Sequence, residues 1–249
     1  MSAHSFAKVV MAASIAAAAV AWWMKDELPP PARLQAELTA EPRQVKVSRP
    51  PIDTRVDGVD YRIQPRYSYD MSALVVSLHD SDSWLDYAHK AWNDHVNLVD
   101  LCVIWGGSAK NGAYRRISFS NDQWWCHWST RSPEAWEALD QSEVANNHMV
   151  TDDPAIARAL RKVRIGDQIR VRGYLVNYTT FKNGVPTGTR VSSESRTDTG
   201  NGACEVLYVE SLDLLDSAGR GWRLALQAAL GVFVLGVLLW LLLPVKFND

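Results

Sequence analysis

Val163 to Tyr178 reads V-R-I-G-D-Q-I-R-V-R-G-Y-L-V-N-Y, and the pattern of this stretch decides the fold. Gly166-Asp167 makes a tight opening turn, because glycine tolerates the backbone angles such turns need. Ile169, Val171, Gly173 and Leu175 then alternate with Gln168, Arg170, Arg172 and Tyr174, the period of two of a half-buried strand. Ahead of it, Asp153 before Pro154 starts a helix running to Val163. Behind it, Asn183-Gly184 is the strongest short hairpin signal in the chain, pairing Val176 to Phe181 with a strand near Thr187 to Ser193. Cys204 to Leu214 (C-E-V-L-Y-V-E-S-L-D-L) reads as a last strand.

Upstream, Ile52 to Tyr69 is irregular or edge-like, with Tyr61 to Ile63 its best strand candidate, and Ala73 to Leu78 is a first clear strand. Ser83 to Asn97 reads as helical, with Trp84, Tyr87, Ala88, Ala91, Trp92 and His95 at three-four spacing. Val99 to Trp105 is a second strand, and Tyr114 to Phe119 a third, joined to it as a hairpin. Ser132 before Pro133 starts a helix to about Leu139. Three strands, a helix, a strand, a hairpin extension and a closing strand resemble the order in a five-stranded OB-type barrel. The expectation is a mainly β, OB-fold-like five-stranded barrel with helical insertions, spanning residues 52–217 and flanked by N- and C-terminal transmembrane helices.

Leu224 to Val245 carries no charge. Its 22 residues would measure about 33 Å as a helix, enough to cross a hydrocarbon core of about 30 Å. Trp222 and Arg223 mark one interface and Pro244 to Lys246 the other, so 222–245 reads as a transmembrane helix. Gly231 and Gly236 are five apart and make no G-x-x-x-G motif. Val9 to Trp23 is uncharged between Lys8 and Lys25. It suits either a signal core or, with Phe6, Ala7 and Trp22-Trp23 at its ends, a membrane anchor over 6–24; the retained anchor is the favoured reading. Pro29, Pro30, Pro31, Pro42, Pro50 and Pro51 make 25–51 a stiff tether, with a short helical piece near Ala32 to Ala40.

The intervening domain lacks a basic excess. Setting aside Lys8, Lys25 and Lys246 leaves 23 basic residues, and setting aside Asp249 leaves 27 acidic ones, a net charge of −4. Nucleic-acid binding, which draws on basic patches, is therefore not expected. Near the helix ends, Lys25, Arg33, Arg43, Arg220 and Arg223 on the domain side outnumber Lys8 and Lys246 on the tail side, which alone favours a cytoplasmic domain. Long loops translocate largely regardless of charge, and the signal-like start and Pro-rich tether favour export. A periplasmic domain with both termini cytoplasmic is the expectation. The segments D-L-C-V-I-W-G, N-N-H and R-T-D-T-G-N-G-A-C-E give the whole chain a resemblance to membrane-anchored bacterial proteins. That resemblance implies an inner-membrane setting and names no activity.

Cys102, Cys126 and Cys204 match no C-x-x-C motif. Three cysteines allow one disulfide with one free thiol, or none, and buried apolar thiols are the plainer expectation. Three groups of residues are candidates for chemistry. Asn146, Asn147 and His148 with Arg196, Asp198, Cys204 and Glu205 contain the Cys, His and Asn of thiol-nucleophile arrangements. The plainer reading is that they cap the following helix or tie an insertion down. His79, Asp80, Asp82, His89, Asp94, His95 and Asp100 contain zinc-type ligands, but without an H-E-x-x-H pattern they read as solvated surface charge. No metal and no other cofactor is expected. Trp124, Trp125, His127 and Trp128, with Trp84, Trp92, Trp105 and Trp136, suit either core filling or a stacking platform. Adjacent Trp124 and Trp125 cannot both point inward on a strand.

These features favour a membrane-anchored binding module. Its ligand face would combine Trp124, Trp125, His127 and the Asn146–His148 segment with Arg196, Asp198 and Glu205. Its expected partner is an envelope protein or a cell-wall or peptide-like ligand. The rival is a hydrolase or thiol enzyme centred on His148, Asp198 and Cys204. A cytoplasmic-side nucleic-acid binder is a third alternative.

Overall fold

The computed structural model describes residues 3–81, 83–84, 86–122, 124–198 and 203–243. Asp82, residues 199–202 of the R-T-D-T-G-N-G-A-C-E segment and the Pro244–Lys246 boundary lie outside them. The chain falls into two units, the two terminal segments and residues 28–217.

The terminal unit is a helix pair, α1 (Ala3–Met24) and α6 (Arg220–Leu242), each long and apolar enough to span a membrane. They run antiparallel: His4 meets Trp240, Met11 meets Gly236, and Gly219 meets Lys25. A Cβ at Gly236 would stand 2.8 Å from Met11 Cγ, so the small residue lets the helices approach. Lys25 Nζ sits 4.3 Å above the Trp22 ring.

In the larger unit the strands are β1 (Arg43–Lys46), β2 (Ile52–Val56), β3 (Val59–Asp80), β4 (Asn97–Ile104), β5 (Ser118–Asn121), β6 (Cys126–Ser129), β7 (Val144–Val150), β8 (Asp167–Lys182), β9 (Val185–Arg190) and β10 (Glu205–Ser217). Between them lie the short helices α2 (Ala88–Ala91), α3 (Gly106–Lys110), α4 (Pro133–Glu137) and α5 (Pro154–Leu160). Five strands close a hydrogen-bonded ring in the order β3, β4, β7, β10, β8 and back to β3. Only the β7–β10 contact in this ring is parallel. β8 is the expected organising strand, with Asp153 capping α5 through Ala155 N at 2.6 Å and Asn183-Gly184 turning at positive φ into β9. Gly173 is obligatory there, because a Cβ would meet Tyr208 O at 1.9 Å.

All five ring strands contribute to the largest apolar cluster, with Met71, Leu101, Met149, Ile169 and Leu207 fully buried and Leu160 of α5 packed on it. Burial of each such side chain stabilises the fold by about 1.5–3 kcal/mol.

Four expectations change. The two upstream strand candidates are parts of one strand, β3, whose 22 residues pass register shifts at Pro65/Tyr67 and Val75/Ser77; such bulges bend a strand without ending it. The helix expected over Ser83–Asn97 shrinks to Ala88–Ala91, since Asn93 turns left-handed and Asn97 already pairs with Val150. Tyr114 lies in a 3₁₀ turn, and β5 pairs with β6 rather than with β4; the third ring strand is β7, the segment read as the Asn146 loop. The 25–51 tether is largely not free, because Leu28, Leu34 and Leu38 join a core cluster and β1 pairs with β3. Its short helical piece is two 3₁₀ turns, Pro31–Arg33 and Ala36–Thr39.

Cys102 and Cys126 form a disulfide with Cα atoms 5.7 Å apart, leaving Cys204 as the free thiol. The plain expectation of buried apolar thiols fails because the β5–β6 hairpin folds over β4 and brings Cys126 onto Cys102. Closing a loop of this size, a sequence separation of 24, stabilises a fold by about 3 kcal/mol in the chain-entropy account.

Candidate active site

Residues on one strand alternate between faces, and this alternation builds the site. In the register of β4 and β7, Asp100 stands opposite His148 and Cys102 opposite Asn146. β10 pairs Glu205 with Asn147 and Val206 with His148, so Cys204, one residue earlier, arrives beside Asn146 on the same face as His148. Asp100 Oδ1 lies 2.6 Å from His148 Nδ1. Cys204 neighbours the same ring and helps to hold it charged, while its thiol donates to Trp124 O at 3.6 Å. Carboxylate, imidazole and thiol are therefore neighbours on one face of the sheet. Asp100 also accepts from Asn97 Nδ2 at 3.0 Å, and Asn146 Nδ2 lies 3.6 Å from Cys204 Sγ.

The electrostatics follow from burial and pairing. Burial alone would push the Asp100 carboxyl up, but the His148 charge and its hydrogen bond, with Asn97, hold it below the usual carboxylate range. Burial alone would lower His148, and Asp100 with Cys204 carries it up to about 9. The imidazole is held protonated at neutral pH, with one nitrogen committed to Asp100.

His148 and Cys204 open into a cavity of about 830 Å³ that Trp92, Trp124, Tyr178 and Arg190 help to line. Trp124 stacks on His89 at 5.2 Å between ring centroids, meets Trp92 at 4.7 Å, and has Arg190 5.3 Å above it. Arg190 is paired with buried Asp94 at 3.5 Å, and Asp94 accepts from Tyr178 at 2.6 and 2.7 Å. Burial and the Asp94 charge push the Tyr178 phenol well above its ordinary value.

The residues singled out in the sequence separate into four places. Trp124, Trp125, His148 and Cys204 share the large cavity. Arg196, Asp198 and Glu205 line a second one of about 390 Å³, reached also by Trp125, Asn146 and Cys204. His127 is exposed on the β5–β6 hairpin, with its ring 2.8 Å from Asp122. Asn147 is fully buried on the opposite face from His148. Trp124 and Trp125 precede β6 rather than lying on a strand, and Trp125 is the exposed one.

The expected grouping of Asp198 with His148 and Cys204 is corrected: its carboxylate accepts from Ser193 Oγ at 2.9 and 3.0 Å, and Asp100 is the carboxylate on His148. Asp100 carried a legible signal, a lone charge within V-D-L-C-V-I-W, since an acidic residue inside a buried strand requires a partner. Arg190 and Tyr178 carried none.

The acidic and histidine residues expected on a solvated surface are also placed differently. His89, Asp94 and Asp100 are buried, as is Asp86, which the sequence reading did not single out. Asp86 Oδ2 lies 2.7 Å from His79 Nε2 and 2.6 Å from His89 Nδ1, and Asn97 Nδ2 lies 3.1 Å from His89 Nε2. Among the described residues these three side chains are the group whose donor atoms converge as metal ligands do.

The chain matches no protein-family model, and neither a curated protein nor a solved structure is significantly similar to it.

Proposed function

We propose that the protein is a membrane-anchored, thiol-dependent enzyme acting by acyl transfer or hydrolysis on a peptide-like or cell-wall ligand. The grouping of Asp100, His148 and Cys204 beside a cavity carries this reading. In the proposed reaction Cys204 sulfur, its proton held by His148, bonds to the substrate carbonyl carbon. Asn146 Nδ2 stands near enough to donate to the oxygen that becomes negative. As the leaving group departs, His148 gives it the proton. Water then cleaves the thioester, returning a proton to His148. Asp100 orients the ring and stabilises its charge. Arg190 and the Trp92–Trp124 pair would select ligands with an anionic and a flat or apolar group.

The strand order supports reading the ring as an OB-type barrel: a helix, α5, between the third and fourth ring strands, and the first strand paired with the fourth. The disulfide supports an oxidising compartment, hence a periplasmic domain with both termini cytoplasmic in a bacterial inner membrane. The net charge continues to disfavour nucleic acid.

A second reading keeps the cavity as a binding site without turnover, favoured by its stacked aromatic wall. Iodoacetamide alkylation of Cys204, the sole free thiol, separates the two. An activated thiol reacts at pH 7 at least about tenfold faster than in His148→Ala. Equal rates in folded wild type and variant leave only the binding module.

A further inference from the structure

We infer that His79, Asp86 and His89 form a binding site for one divalent transition-metal ion of the zinc class. The three sit apart from Cys204, at the end of β3 and in the segment around α2. Each offers one ligand atom, and the three atoms lie within 4.8 Å of one another. Two imidazole nitrogens face a single carboxylate oxygen, Asp86 Oδ2, at 2.7 and 2.6 Å. Around a tetrahedral ion, ligands about 2.0–2.2 Å from the metal stand about 3.3 Å from each other, so the cluster must open by less than about 1 Å. Neutral imidazole with carboxylate suits zinc and its first-row neighbours, and three protein ligands leave a fourth position for water.

The surroundings supply what metal ligands require beyond contact with the ion. Asp86 Oδ1 accepts from His89 N at 3.0 Å, fixing the carboxylate on the histidine it shares the ion with. The far nitrogen of His89 faces the Asn97 amide. A ring that binds metal through Nδ1 carries its proton on Nε2 and needs an acceptor there. Asn97 Oδ1 is buried and has no hydrogen-bond partner among the described residues, and turning the amide brings that oxygen to Nε2. Because the same Nδ2 now serves both His89 and Asp100, the turn also sets the amide oxygen against Asp100 Oδ1, so metal binding comes at the expense of the Asp100 hydrogen bond to Asn97. Asp86 and His89 are closed off, while the His79 side chain is 18% exposed and provides the way in.

The test is a Co²⁺ titration of the full chain, purified in detergent and stripped with chelator. One equivalent should produce ligand-field absorption in the visible that Zn²⁺ abolishes. His79→Gln, at the partly exposed ligand, should weaken binding by more than about 100-fold, and Asn97→Ala by about 10–100-fold, the effect usual for an outer-shell partner. Cys204→Ser should leave the spectrum unchanged. A wild-type chain that shows no such absorption with millimolar Co²⁺ overturns the inference, as does a spectrum that survives in His79→Gln. The wild-type titration needs no variant, so misfolding of a substituted chain cannot shield the proposal.

Discussion

The two faces of the β7–β10 seam offer a controlled comparison. On one face His148 meets Asp100, with Cys204 beside it; on the other, displaced by a single residue along each strand, Asn147 and Glu205 are buried. Both faces hide a titratable group, yet in opposite charge states. His148 is carried up to about 9 and stays charged, because a carboxylate lies 2.6 Å away. Glu205 is pushed up to about 8 by burial and the nearby Asp198 charge, against weaker pulls from its own backbone, Arg196 and His148, and stays neutral. Among the described residues its Oε2 has no hydrogen-bond partner. Depth alone does not set charge; the partner does.

Asp100→Asn breaks the comparison most severely. It should cost about 3–5 kcal/mol, the usual penalty for removing one partner of a buried pair, measured by denaturant unfolding at pH 7. His148 should then titrate lower, by NMR, and alkylation of Cys204 should slow. Unchanged stability would mean that the pair is open to water.

Removing the disulfide through Cys102→Ala with Cys126→Ala acts on the His148 face alone, since Cys102 lies two residues from Asp100 on the same face. A loss of about 3 kcal/mol is expected, with slower alkylation of Cys204 as the hairpin bearing Trp124 loosens. The Glu205 contribution to pH dependence should persist.

That dependence can be worked out in sign. A group whose folded pKa is raised contributes stability that is complete below its unfolded value and is lost as pH rises to the folded one. Glu205 therefore withdraws stability between about 4.5 and about 8, and His148 between about 6.5 and about 9. Asp100, depressed, withdraws it as the solution turns acid, below its ordinary value of 3.8. Thermal unfolding should occur highest near pH 5 and fall towards pH 9. Glu205→Gln should flatten the lower alkaline limb and raise stability at pH 8 by about 2 kcal/mol, allowing for relaxation around the buried charge. The smallest effect is His127→Ala, on neither buried face, which should change unfolding by no more than about 0.5 kcal/mol.

Much of the scaffold was legible because its signals are local. The alternation from Ile169 to Leu175, the Asp153-Pro154 cap and the Asn183-Gly184 turn act through neighbouring backbone, and each appears where expected. The Ser83–Asn97 segment misled for the same reason. Its three-four spacing is real, but Trp84, Tyr87 and Trp92 are exposed, so no core consolidates that helix. The apolar terminal helices were also legible, as length and composition suffice for them.

By itself, then, the sequence determined the strand and turn pattern around Val163–Tyr178, the two membrane-length helices, and the small set of His, Asn and Cys residues worth attention. Only the tertiary structure decided which carboxylate serves His148, that Cys102 finds Cys126, and that His79, Asp86 and His89 converge. These choices depend on register between distant strands, and a slip of one residue would exchange His148 for Asn147 and Cys204 for Glu205 across the sheet. No local propensity carries that information; closure of the five-strand ring does.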